Sequence, residues 1–158
     1  MNQKSKRRIV RERVLQILYA YELNNSSLQN LIDGILTDIT DSIDRTFAND
    51  LVYRVINHTN ELDEKIKKRV ANWEMNRIAI IDKILLRMGI CELLFFPDIP
   101  PKVSINEVIE IAKDYSTAGS GKFINGILDA VLFEEKKSGR LNKSGRGLVS
   151  ESITRTGE

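Results

Sequence analysis

The segment from Arg77 to Phe95 sets the strongest limit on what this chain can fold into. Ile78, Ala79, Ile80, Ile81, Ile84, Leu85, Leu86, Met88, Ile90, Cys91, Leu93 and Leu94 surround most of a helix circumference, a pattern that only a helix enclosed by other protein can bury. Asp82, Lys83 and Arg87 interrupt the run too often for a membrane span, so the enclosing surface must come from the chain itself. On both sides apolar residues recur at intervals of three and four, and nowhere is there a sustained period-two alternation bounded by hairpin turns. The expected fold is all-α, a compact single-domain bundle of about seven helices.

The flanking helices follow from the same periodicity. The first runs from about Lys6 to Leu23, with Val10, Val14, Ile17, Leu18 and Tyr21 on one face. Ser27 can cap a second, whose stripe extends from Leu28 to Ile39. A third spans about Asp44 to Asn57, and a fourth begins near Glu61 with Leu62, Ile66 and Val70 spaced by four. Beyond the central helix, Pro97, Pro100 and Pro101 forbid continuation, and Ser104-Ile105-Asn106-Glu107 reads as a capping box opening the next helix. The last helix begins near Ser120 and points Phe123, Ile124, Ile127, Leu128, Val131 and Leu132 inward. Residues 1–135 form the helical domain. From 136 to 158, Lys, Ser, Gly and Arg dominate and apolar residues are too sparse to order the chain, so a disordered basic tail is expected.

Charge is distributed unevenly. The net value is only +2, yet Lys4, Lys6, Arg7, Arg8, Arg11 and Arg13 crowd the start against Glu12 alone, the tail is basic, and the body between is acidic. A basic arm on an acidic body suits a polyanion at one place and a basic protein at another. The lone Cys91 lies in the most apolar stretch, where it serves as a small buried hydrophobe, and it rules out an intrachain disulfide. No apolar leader or spanning run is seen, so a cytoplasmic protein without membrane contact is expected.

Catalytic chemistry lacks its components. His58 is the only histidine, which leaves neither a Ser-His-Asp relay nor a Cys-His pair nor a His/Cys metal site, and no catalytic residue, metal or cofactor is expected. Glu61, Asp63 and Glu64 cluster at a helix start, where acids offset the helix dipole. The stretch Ala118-Gly119-Ser120-Gly121-Lys122 is not a phosphate loop, since Ser116 stands where Gly is required and Phe123 where Ser or Thr is required. It is either a plain interhelical turn or a glycine-rich helix start able to receive one phosphate. Lys4, Arg7, Arg8 and Arg11, at i, i+3, i+4 and i+7, form a basic stripe on one side of the first helix. The stripe, joined by Lys6, is either a phosphate-binding face or a solvated one. Phe123, Tyr19, Gln16 and Asn125 are either base-reading groups or ordinary packing and surface residues.

Four blocks of the chain resemble the NusB family. They are Arg7-Arg8-Ile9-Val10-Arg11-Glu12 with Gln16-Ile17-Leu18-Tyr19; Asp82-Lys83 through Arg87 to Glu92-Leu93; Pro101-Lys102-Val103-Ser104-Ile105-Asn106-Glu107 through Lys113; and Ser120-Gly121-Lys122-Phe123-Ile124-Asn125-Gly126-Ile127-Leu128-Asp129. Together they cover the chain from Arg7 to about Leu132 in the right order. The resemblance implies a transcription antitermination factor that binds single-stranded boxA-type RNA with the ribosomal protein NusE, acts within the transcription elongation complex on ribosomal RNA operons, and catalyses nothing. It implies one RNA surface joining Arg7, Arg8 and Arg11 to Lys122 and Phe123, with Tyr19, Glu74, Asp82 and Glu92 toward NusE. Gly119 departs from the family, which often has an acid there. The tail beyond Leu132 exceeds the match, and the free state is either a monomer or a homodimer. Two other readings remain open: a helical protein-interaction or dimerisation module, and an RNA-handling module like the NusB-like domain of RNA methyltransferases.

Overall fold

The computed structural model of the protein describes residues 3–25 and 27–148, and among these the chain is helical without strands. Contacts divide it into two units, Met1–Asn57 and His58–Glu158, where the sequence reading has one domain. Among the described residues no helix is long and apolar enough to cross a membrane.

The first unit holds α1 (Lys6–Asn24), α2 (Leu28–Ile35) and α3 (Ser42–Asn57). Ser5 caps α1, its Oγ accepting from Arg8 N–H at 3.1 Å, and Asn25 ends it in the left-handed region at φ 45°, a conformation asparagine adopts at little cost. Ser27 caps α2 as expected, accepting from Asn30 N–H at 3.4 Å. Asp41 Oδ1 accepts from Ile43 N–H at 2.8 Å and opens α3. α1 packs on α2 and α3, and Val10, Val14, Ile17, Ile32, Leu36, Leu51 and Val52 are all buried. Arg45 donates to the carbonyls of Leu36 and Ile39 at 2.7 and 2.8 Å, so the turn after α2 keeps its backbone acceptors satisfied.

The second unit holds α4 (Thr59–Lys67), a single turn α5 (Asn72–Met75), α6 (Ile80–Phe95), α7 (Pro101–Tyr115) and α8 (Ser120–Lys137). The segment that demanded enclosure receives it: α6 packs against α4, α7 and α8, and every residue from Ile84 to Leu93 is buried, Cys91 included. Gly89 lets α6 and α8 pack closely, because a Cβ there would lie 2.9 Å from Leu128 Cδ1.

Two local expectations are corrected. α7 starts at Pro101 rather than at the supposed capping box, because proline at the first helical position lacks only an N–H that would be unpaired anyway. Ser104 therefore lies inside α7, buried, with its Oγ donating to Glu92 Oε1 at 2.8 Å. The tail expected from residue 136 is also partly structured. α8 runs to Lys137, and a strap follows that ends in a 3₁₀ turn, Gly145–Leu148. Ser144 N–H bonds Pro97 O at 3.0 Å, and Lys143 Nζ donates to the carbonyls of Glu92 and Phe96 at 3.1 and 2.8 Å, closing the open end of α6. Burial lowers the Lys143 pKa to about 8. The rest of the expected tail, residues 149–158, lies outside the described residues.

Candidate nucleic-acid interface

α1 carries the basic stripe in the first unit except for Lys4, which precedes the cap at Ser5, and its members differ in what they touch. Lys4 and Lys6 are exposed, while Arg7, Arg8, Gln16 and Tyr19 are half-buried. Lys4 Nζ bonds the buried Glu12 at 2.8 Å. The Arg7 guanidinium lies 4.1 Å from the centroid of the Phe47 ring, with Nε 3.6 Å from Asp44. Arg11 is only 2% exposed and lies 5.2 Å from the same ring. As a phosphate contact, Arg11 is therefore corrected: four residues after Arg7 it falls at the border of the apolar stripe and is taken into the packing of α1 on α3. Arg13 forks onto Asp38 with contacts of 3.3 and 2.7 Å, and those hydrogen bonds hold the Asp38 carboxyl below its ordinary pKa.

The start of α8 carries the second group, in the second unit. Lys122, Phe123 and Asn125 are exposed, Phe123 at 37%, so the ring expected inward as well as toward RNA faces outward. It shares a groove of about 470 Å³ with Glu74, Arg77, Ile78, Ala79 and Asp82. The turn is held from beneath. Asp82 Oδ1 accepts from Ser116 Oγ at 2.7 Å and Oδ2 from Ser120 Oγ at 2.8 Å, fixing the end of α7 and the beginning of α8 to α6. Gly119 precedes the helix at φ −84°, and a Cβ there would meet nothing within 4 Å, so its backbone does not require glycine.

The set assigned to a protein partner divides. Tyr19 and Glu74 keep accessible surface. Glu92 is wholly buried against Ser104, and Asp82 is 7% exposed with both oxygens engaged by serines, so these two are corrected to internal tethers of α6. Sequence reasoning missed Arg77 beside Phe123 and Phe47 beneath Arg7 and Arg11. Arg77 precedes α6 in a segment read as buried helix, and Phe47 matched a core stripe, so neither gave a signal of its own.

The NusB family model matches residues 8–133. A transcription antitermination protein NusB from Chloroherpeton thalassium is 49% identical over 147 residues, covering 90% of this chain and 69% of that protein. Among solved structures, T. maritima NusB superposes with a TM-score of 0.76 at 35% identity, over 84% of this chain and 94% of the other. A crystal structure of antitermination factors NusB and NusE in complex with dsRNA gives 0.74 at 25% identity, over 81% and 96%. The chain belongs to the NusB family.

Proposed function

We propose that this chain is a non-enzymatic, cytoplasmic transcription antitermination factor that binds boxA-type single-stranded RNA together with NusE and supports ribosomal RNA transcription within the elongation complex. The name of its relatives and the NusB–NusE–RNA neighbour support this reading. The observation that carries the RNA contact is the opening of α8, where a lysine, an aromatic ring and an amide are all exposed within four residues at Lys122, Phe123 and Asn125. Lysine and the helix N-terminus hold phosphate, the ring stacks a base, and the amide reads a base edge. From α1 and the lysine just before it, Lys4, Lys6, Arg7, Arg8 and Gln16 contribute phosphate and polar contacts, and Arg11 acts through packing. Tyr19 and Glu74 serve the NusE side, where acidic surface suits a basic ribosomal protein.

The test is titration of a boxA-like RNA and a scrambled control, with and without NusE, against the wild type, Arg8→Glu and Phe123→Ala. Preference for the boxA-like RNA that grows with NusE and weakens in both variants supports the reading. Equal binding of the two RNAs by the complex overturns it. A Gly119→Asp variant, which the backbone admits, should bind RNA more weakly because it sets a negative charge beside the phosphate site.

A further inference from the structure

A second cationic surface lies in the second unit, away from the groups already assigned. The C-terminal ends of α4 and α8 meet there: Lys65 Nζ bonds Glu135 at 2.5 Å, and Arg69 pairs with Glu134. Exposed Arg69 and Lys137 line one groove there, and Lys67, Lys68, Lys136 and Arg140 are exposed at the same two helix ends. Acids lie among them: three glutamates pair with these cations, and exposed Asp129 stands one turn before Phe133 on α8. Glu135 is 1% exposed and engaged by both Lys65 and Arg140, Glu134 is taken by Arg69, and Glu64 is 3.4 Å from Lys67. Cations at helix C-termini also complement the helix dipole, which would account for the lysines alone. It does not account for Phe133, whose ring is 68% exposed in the midst of them. Phe133, Arg69, Glu134, Lys137 and Ser138 line a groove of about 480 Å³.

An exposed aromatic ring in a groove with cations is the composition of a sequence-tolerant stacking platform for single-stranded nucleic acid. Phe123 and Phe133 stand on the same helix, about 15 Å apart along its axis and about 80° apart around it. A strand held at the first ring can therefore continue along α8 to the second. We propose that this surface binds the single-stranded RNA flanking the segment held at the start of α8, with Phe133 stacking a base and Lys136 and Lys137 taking phosphates. This rests on the RNA-binding reading above, but it concerns different residues and a different part of the RNA.

The experiment compares two RNAs with the full chain: a short boxA-like oligonucleotide, and the same sequence extended on each side by about ten unstructured nucleotides. The variants are Phe133→Ala, Lys136→Glu/Lys137→Glu, and Lys137→Gln, which removes one charge and keeps a similar shape. For the short RNA all should match the wild type within about twofold. The extension should tighten wild-type binding by about 5- to 10-fold, and Phe133→Ala and the double variant should lose that gain. The double variant should also flatten the salt dependence on the extended RNA by about 1.4 in log–log slope, and Lys137→Gln by about half as much. An extension gain that all variants retain overturns the proposal, including the outcome in which the surface proves to bind protein. If the short RNA fails to bind while the extended RNA still discriminates these variants, the reading of the α8 start fails and this surface stands.

Discussion

Arg8 and Arg11 stand three residues apart on α1, yet Arg8 is half-buried while Arg11 is buried over Phe47. Arg11→Ala should therefore act on stability, lowering it by about 1–3 kcal/mol in urea unfolding through loss of a desolvated cation–π contact. Exposed Lys6→Ala should leave stability within about 0.5 kcal/mol. An Arg11→Ala protein of unchanged stability that loses RNA affinity would return that residue to the binding face. Asp82 presents the parallel case on α6. Its two oxygens hold Ser116 and Ser120, so Asp82→Ala removes the acceptor of two hydroxyls and should cost about 1–3 kcal/mol. It should also weaken RNA binding through displacement of Lys122 and Phe123, although Asp82 itself meets no phosphate. Asp82→Ala with full stability and full RNA affinity would show that the serine tether does not position the turn.

Among the elements, helices marked by long periodic stripes were legible in the sequence, and ends decided by tertiary contacts were not. α1, α3 and α6 follow their apolar spacing, since a stripe can be buried in few ways, whereas α2 ends at Ile35 although its stripe continues to Ile39. The start of α7 was misread because Ser104 and Glu107 have capping-box spacing, while Pro101 opens the helix earlier and buried Glu92 recruits the Ser104 hydroxyl instead. The strap after α8 left no apolar pattern, because it is held by backbone hydrogen bonds and one lysine rather than by a hydrophobic face. The exposed character of Phe123 could not be read from periodicity either, since it falls on the edge of the stripe that buries Ile124 and Ile127. The strap makes its own predictions. A Cβ on Gly147 would collide with the carbonyl of Pro97, a backbone atom that cannot rotate away, so Gly147→Ala should detach the strap and speed proteolysis between 138 and 148. Lys143 titrates near 8 in the fold against 10.5 ordinarily, so between these values the unfolded chain holds more protons. The stability of the wild type relative to Lys143→Met should therefore rise as pH climbs from about 8 to 10.5, and be lowest below 8, where the buried amine is charged. A stability difference that is constant across that window would mean the amine is not buried in solution.

At the scale of the whole molecule a net charge of +2 would suggest indifference to RNA, and the distribution of charge reverses that expectation. Cations serve as contacts through phosphates and released counterions, and aromatic rings serve through stacking, so the two kinds of contact respond differently to salt. The first unit offers mainly charge on α1, whereas the second offers the Phe123 ring with Lys122. Arg8→Glu should therefore lower affinity at low salt and flatten the log–log dependence on salt by about 0.7 to 1. Phe123→Ala should weaken binding by about 1–3 kcal/mol at every salt concentration and leave the slope unchanged. Because the two residues are in different units, their losses should add in the double variant to within about 0.5 kcal/mol, provided both touch the same bound RNA. Titrations of one boxA-like RNA at four or more salt concentrations would read all three quantities. A ring variant that changes the slope as strongly as the arginine variant, or a double variant no weaker than the poorer single one, would mean that the two units do not act on the RNA by separate physical contacts.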